Sequence, residues 1–301
     1  MNTRFRYTLP VLALATLPLW PSHAFAAALY EGDFGSGKIY SFDTDTGART
    51  TFASGLSQCM GLAFDQSGNL FELDYGSTNI YKFTPGGSRT TFATGLGYAE
   101  GMAFDSSGNL FLAEGSSGNL YKYAPNGSRT TFATGLNNPK GLAFSLNGTL
   151  YAADSNTGNI YQYTAGGTRS TFVNIGNPTC LAFDSKGNLF ETDEAAGLVQ
   201  EFVNTGGGVL STTPLTIASG IFYADGLAFD GNGDLFVTDG NPSGHIYEFA
   251  NIGGVLSSRT TFATGVNIPF DLAIRVVPEP SSWMLTGMGA GCAMLFRRRR
   301  A

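Results

Sequence analysis

The chain has 301 residues, enough for two ordinary domains, yet only 13% of them are charged, about half of the ~25% usual in soluble domains. Its formal net charge is −6, and outside the two ends no basic cluster occurs, which argues against a nucleic-acid partner. Gly supplies 41 residues, and Ser, Thr and Asn fill most polar positions, a composition suited to an exported surface.

The first segment reads as a processing signal. Arg4 and Arg6 precede an apolar run from Leu9 to Trp20, and Ala24-Phe25-Ala26 provides a small-x-small cleavage site. A signal peptide over 1–26 is expected, with cleavage after Ala26. A membrane anchor fits less well: the run falls short of the ~20 residues of a spanning helix, and Pro10, Pro18 and Pro21 interrupt or follow it.

The body of the chain is repetitive. GLAFD begins at Gly61, GMAFD at Gly101, GLAFS at Gly141, CLAFD at Cys180, GLAFD at Gly226 and a decayed DLAIR at Asp271, with starts 40, 40, 39, 46 and 45 residues apart. Such a period marks a solenoid, propeller or array. Each unit reads as four short strands. The first is GLAF, ending in an Asp-x-x-Gly-Asn hairpin turn as at Asp65 to Asn69. The second is an alternating run such as NLFELD or NLFLAE. The third, NIYKF or NLYKY, is expected to be buried on both faces. The fourth is Arg-Thr-Thr-Phe-Ala-Thr-Gly, with Arg89, Arg129 and Arg259 opening intact copies.

Four antiparallel strands per unit, repeated radially, predict an all-β propeller of six four-stranded blades over residues 27–276. The ends decide the closure. Before Gly61 the chain supplies only a second strand (Leu29 to Asp33), a third (Lys38 to Asp43) and a fourth (Arg49 to Gly55); after Gly265 it supplies only a first strand, Phe270 to Arg275. One C-terminal strand plus three N-terminal strands complete the sixth blade and remove the exposed sheet edges. Over Leu29 to Arg275 the chain resembles the six-bladed NHL-repeat, gluconolactonase-like, streptogramin-lyase-like and TolB-like propellers, best at Pro139 to Asp154. The resemblance implies the fold strongly and an activity weakly.

The final segment, 277–301, holds Pro278-Glu279-Pro280, an apolar stretch from Trp283 to Phe296 and four arginines, Arg297 to Arg300. It resembles a PEP-CTERM sorting tail. The resemblance implies recognition by an exosortase, transient membrane contact, and release of the domain to the cell surface or extracellular matrix, often beside exopolysaccharide production. Six of the 17 basic residues and one of the 23 acids lie in the two ends, leaving 11 against 22 in the domain.

Chemistry is expected where the repeat fails to recur. The residue before each first strand is Met60, Glu100, Lys140, Thr179, Asp225 or Phe270, and these should ring one mouth of the central channel, with Tyr98 and Tyr223 nearby as stacking surfaces. A second ring, Asp33, Asp74, Glu114, Asp154, Asp193 and Asp239, would hold Ca²⁺ or, in the reading preferred for a residue present in every blade, cap its own turns. Asp230 to Asp234 resembles the start of a calcium loop but lacks the closing Glu of an EF-hand. Catalysis has few resources. His23 leaves with the signal peptide, and His245 stands alone at the start of a third strand. The histidine and acid constellation of the streptogramin lyases therefore has no counterpart, and the Glu, Asn and Asp that hold Ca²⁺ in gluconolactonase-like enzymes cannot be placed.

Cys59 and Cys180 are expected to be free thiols, since three blades separate them and a disulfide needs Cα atoms within about 7 Å. Two similar insertions, Asn204 to Leu210 and Asn251 to Leu256, offer exposed Val and Leu for a partner surface. The reading is a monomeric, exported binding module without a cofactor, for extracellular polysaccharide or a surface protein. The alternative is a Ca²⁺-dependent hydrolase or lyase, in which Glu100 and Asp225 are the metal candidates.

Overall fold

A computed structural model describes residues 25–278. The sorting-tail residues Glu279 and Pro280 and the body of the signal segment lie outside them. Six four-stranded antiparallel sheets form a ring. Blade 1 joins the termini in the order Pro269–Pro278, Phe25–Asp33, Lys38–Asp43, Arg49–Ser54. The inner strands of blades 2 to 6 are Cys59–Phe64, Ala99–Phe104, Pro139–Phe144, Pro178–Phe183 and Leu227–Phe229. Each is followed outward by three further strands in chain order.

The closing strands outrun their expected limits: Ala26 pairs with Val277 and Phe25 with Pro278, so the ladder passes both predicted domain boundaries. Burial also corrects one expectation. The second strand of blades 2 to 6 is buried at every position, whereas the third buries only two of five, as Ile80 and Phe83 do in blade 2. The second strand lies deep enough for neighbouring blades to cover both faces, while the third approaches the outer edge.

Blade-to-blade packing is aromatic and repeats around the ring. Phe71 of blade 2 meets Phe104 of blade 3 edge-on at 4.9 Å, and Phe111 of blade 3 meets Phe144 of blade 4 in the same way at 5.0 Å. The arginine of the fourth strand has a double task. Arg89 lies 4.9 Å above the Tyr81 ring and donates to the Gly55 carbonyl of the preceding blade at 3.3 Å. Arg49, Arg169 and Arg259 repeat both contacts.

Cys59 and Cys180 are free thiols in blades 2 and 5. The two insertions lie in adjacent blades, where Lys186 Nζ donates to the Gly254 carbonyl at 2.8 Å. Val209, Ile252 and Val255 are exposed there, but Leu210 is buried in the core between blades 4 and 5, so only part of the expected apolar surface is free.

Candidate functional site

Met60, Glu100, Lys140, Thr179, Asp225 and Phe270 all line one cavity of about 100 Å³ at the channel. The backbone explains why. Pairing between the first two strands slips between Cys59 and Gly61, Ala99 and Met102, Pro139 and Leu142, Pro178 and Leu181, and again where Gly32 faces Asp271 but Asp33 faces Pro269. In five blades the mouth residue therefore sits in a β-bulge, which turns a side chain out of the ladder. In blade 6 the regular strand starts only at Leu227, past Asp225.

Below the mouth comes a tier of Gly61, Gly101, Gly141, Cys180, Gly226 and Asp271, and below that a belt of Leu62, Met102, Leu142, Leu181, Leu227 and Leu272. The glycines allow the inner strands to meet: a Cβ on Gly101 would lie 2.0 Å from the Lys140 carbonyl oxygen. Asp271 replaces a glycine and accepts from the Leu62 N–H at 2.7 Å, while burial pushes its carboxyl up to about 7.

The mouth is two-sided. Blades 1 and 2 contribute Phe270, whose ring packs tilted at 6.0 Å from Phe34, and Met60, while Tyr75 meets Tyr98 of blade 3 edge-on at 5.4 Å. Blades 3 to 6 contribute the polar arc. Glu100 is 5% exposed, accepts from the Tyr98 hydroxyl and lies 3.3 Å from Lys140 Nζ. Lys140 also bonds Glu194 at 2.9 Å. Burial pushes Glu100 up to about 7 against the pull of Lys140. Burial also works against the Lys140 ammonium, but Glu100 and Glu194 prevail and raise its pKa. Thr179 donates its hydroxyl to the Asn177 carbonyl at 3.2 Å.

Asp225 is 8% exposed, and its Oδ1 has no partner. Burial, then the like charge of Glu194, raises its carboxyl well above the usual range. Tyr223, two residues earlier, is exposed and held at φ 49°, and Ile268 takes φ 59° at the corresponding place in blade 1. Left-handed conformations cost energy for bulky and β-branched residues, and they concentrate where structure serves function.

Glu194 was missed by sequence reasoning. It follows the recurrent acid of its second strand, a position that reads Phe34, Tyr75, Gly115, Ser155, Glu194 and Gly240 around the ring. Those residues vary as much as the residue before the first strand, so the same test would have found it. Three further acids were missed. Glu31, Glu72 and Glu191, in mid second strand, are wholly buried, and neither carboxyl oxygen of any of them has a partner. Burial raises all three, Glu191 to about 8.

The recurrent acids brace loops. Asp74 accepts from the Ser57 N–H at 2.7 Å and the Ser77 N–H at 3.0 Å, and Asp193 accepts from Asn177 and Ala196 at 2.9 and 2.8 Å. Asp33, Glu114 and Asp154 likewise accept from the loop that enters an inner strand. Asp230 accepts from the N–H groups of Asn232 and Asp234, as Asp65 does in blade 2, an ordinary hairpin. Among the described residues no group of three His, Cys, Asp or Glu side chains is arranged to hold a metal. At the mouth the Lys140 ammonium sits between Glu100 and Glu194, where a cation would neutralise them. His245 stacks on Tyr247, with centroids 5.7 Å apart, on a third strand outside the channel lining.

No protein-family model matches the chain, and no curated protein matches it in sequence. Solved structures do match in shape. A chain in the crystal structure of a nidogen/laminin complex is 21% identical, with a TM-score of 0.70 over 82% of this chain and 98% of that one. A streptogramin B lyase is 13% identical, with a TM-score of 0.63 over 87% and 96%. A gluconolactonase from Xanthomonas campestris is 19% identical, with a TM-score of 0.62 over 72% and 84%. At these identities the likeness establishes the six-bladed propeller and nothing finer.

Proposed function

We propose that the protein is a non-enzymatic binding module, exported by its signal peptide, processed by an exosortase at Pro278 to Pro280, and displayed on the cell surface or in the extracellular matrix. The channel mouth is its binding site, and an extracellular polysaccharide is its ligand. One observation carries the reading: six side chains that differ from blade to blade converge on one cavity in a frame that otherwise repeats. A cavity of about 100 Å³ is small beside the ~300–1,000 Å³ of an engulfing pocket, so it takes a group projecting from a larger ligand that lies across the rim. The apolar arc of Phe270, Phe34, Met60 and Tyr75 suits the C–H face of a sugar ring, and the polar arc suits its substituents.

A Ca²⁺-dependent hydrolase or lyase would need several oxygen ligands free to converge on a cation. Glu100 and Glu194 are engaged with Lys140 instead. Calorimetry on the 25–278 domain separates the readings. A glycan panel should give binding that Lys140→Met and Phe270→Ala weaken, with no heat from calcium alone. Tight calcium binding abolished by Glu100→Gln, with hydrolysis or elimination of a glycan or lactone, would establish the enzyme.

A further inference from the structure

Charge is unevenly settled around the mouth. Three carboxylates, Glu100, Glu194 and Asp225, face one ammonium, Lys140. Lys140 contacts the first two, at 3.3 and 2.9 Å, and the Tyr98 hydroxyl adds a donor to Glu100. Asp225 has no such relief. It is more than nine-tenths buried and lines the cavity, and its Oδ1 has no hydrogen-bond partner. Leaving a buried carboxylate oxygen without a donor is costly, and a bound donor with positive charge removes that cost.

The surroundings narrow the donor. Thr179 of the neighbouring blade also lines the cavity, and its hydroxyl hydrogen goes to the Asn177 carbonyl, which leaves the oxygen free to accept. Gly240 lies between the acid and its aromatic neighbour: a Cβ there would sit 3.0 Å from both Asp225 Oδ2 and Tyr223 Cβ. Tyr223, 55% exposed, thus stands at the rim beside Asp225. A single free carboxylate oxygen, a hydroxyl acceptor and an aromatic face match a primary ammonium on a ring, which offers three donors and a charge attractive to aromatic rings. They are too few oxygens for Ca²⁺.

We propose that Asp225 anchors an ammonium group and that the ligand of the mouth is an amino sugar with a free amine, such as a unit of a de-N-acetylated polysaccharide. The inference rests on the binding-module reading and gives it a ligand class. Burial raises the carboxyl of Asp225, set among Glu194, Lys140, Glu100 and Asp271, so a bound ammonium favours its ionised form.

The test titrates the 25–278 domain, which keeps the whole closing ladder, with matched β-linked glucosamine and N-acetylglucosamine oligomers and with methylamine. The glucosamine oligomer should bind at least tenfold more tightly than its acetylated twin. Asp225→Asn should erase that preference, while Thr51→Ala, exposed on the outermost strand of blade 1, keeps it, and an unchanged circular dichroism spectrum certifies the fold. Equal binding of the two oligomers, or a preference that survives Asp225→Asn, would overturn the ammonium site and leave the polysaccharide reading standing. Binding of methylamine that depends on Asp225, with no oligomer bound, would keep the ammonium site and overturn the polysaccharide reading. Silence from all three probes sinks both.

Discussion

Blades 3 and 6 stand opposite each other in the ring and enter their inner strands with nearly the same words, Tyr98-Ala99-Glu100-Gly101 and Tyr223-Ala224-Asp225-Gly226. Each also carries a glycine, Gly115 or Gly240, after the acid that ends its second strand. The outcomes differ. In blade 3 the tyrosine turns its hydroxyl onto the acid, and Lys140 from the next blade approaches it. In blade 6 the tyrosine is exposed, and the next blade offers Phe270 in place of a lysine, so the acid keeps an empty oxygen. Similar local sequence thus produces a closed site and an open one, and the neighbouring blade decides which.

The largest expected effect tests how tightly each blade is held. A methyl group on Gly101 meets backbone at 2.0 Å, whereas on Gly226 its nearest neighbours lie at 3.0 Å. Gly101→Ala should destabilise the domain by about 3 kcal/mol, the upper end of overpacking, and Gly226→Ala by about 1 kcal/mol. Denaturant melts of the two variants will show it. Equal losses would mean that the ring spreads freely at both places.

A second test uses a position where blades 3 and 6 agree and blades 1, 2 and 5 differ from them. Leu112 and Val237 fill the buried middle of their second strands, where blades 1, 2 and 5 carry Glu31, Glu72 and Glu191. The raised pKa of each glutamate makes the sign definite. Its contribution is fully present below the unfolded-state value of about 4.3 and is lost as pH rises through the folded-state value, about 8 for Glu191. The melting temperature should therefore fall from pH 5 to pH 9. Glu72→Leu, which copies blade 3, should stabilise by about 2 kcal/mol at pH 8 and flatten that fall. A flat profile in the parent protein would show that the three acids find partners or water.

These residues also mark how far the sequence could be read. The repeat length, the Asp-x-x-Gly-Asn turns and the split terminal blade were legible because turn chemistry is local and strand counting is arithmetic. So was the ring of mouth residues, since it was sought as variation within a constant frame. Glu72 was not legible. In Leu-Phe-Glu-Leu-Asp a polar residue between apolar ones normally marks a solvent face, but a propeller covers both faces of its second strand with other blades. The bulges that aim Glu100 and Lys140 into the channel were hidden too, because register is set by the partner strand. Glu194 is legible by the same blade-to-blade variation, one position past the recurrent acid of its second strand.

The smallest effect bears most directly on the two tyrosine-acid motifs. At pH 8, above the value of about 7 for Glu100, that acid is charged in a buried setting, and burial opposes the charge on Asp225 as well. Asp225→Asn removes a charge that nothing in the blade compensates, so the ligand-free domain should gain about 1 kcal/mol, or about 2–4 °C in melting temperature. Glu100→Gln removes a partner of Lys140 while Glu194 keeps its own contact at 2.9 Å, so a loss of about 0.5–1 kcal/mol is expected. Opposite signs would confirm that one motif is closed and the other open. Because the gain at Asp225 comes from relieving an unmet carboxylate whose pKa burial raises, it should shrink as the pH is lowered; a gain that stays constant with pH would assign the effect to packing and remove the reason for treating blade 6 as open.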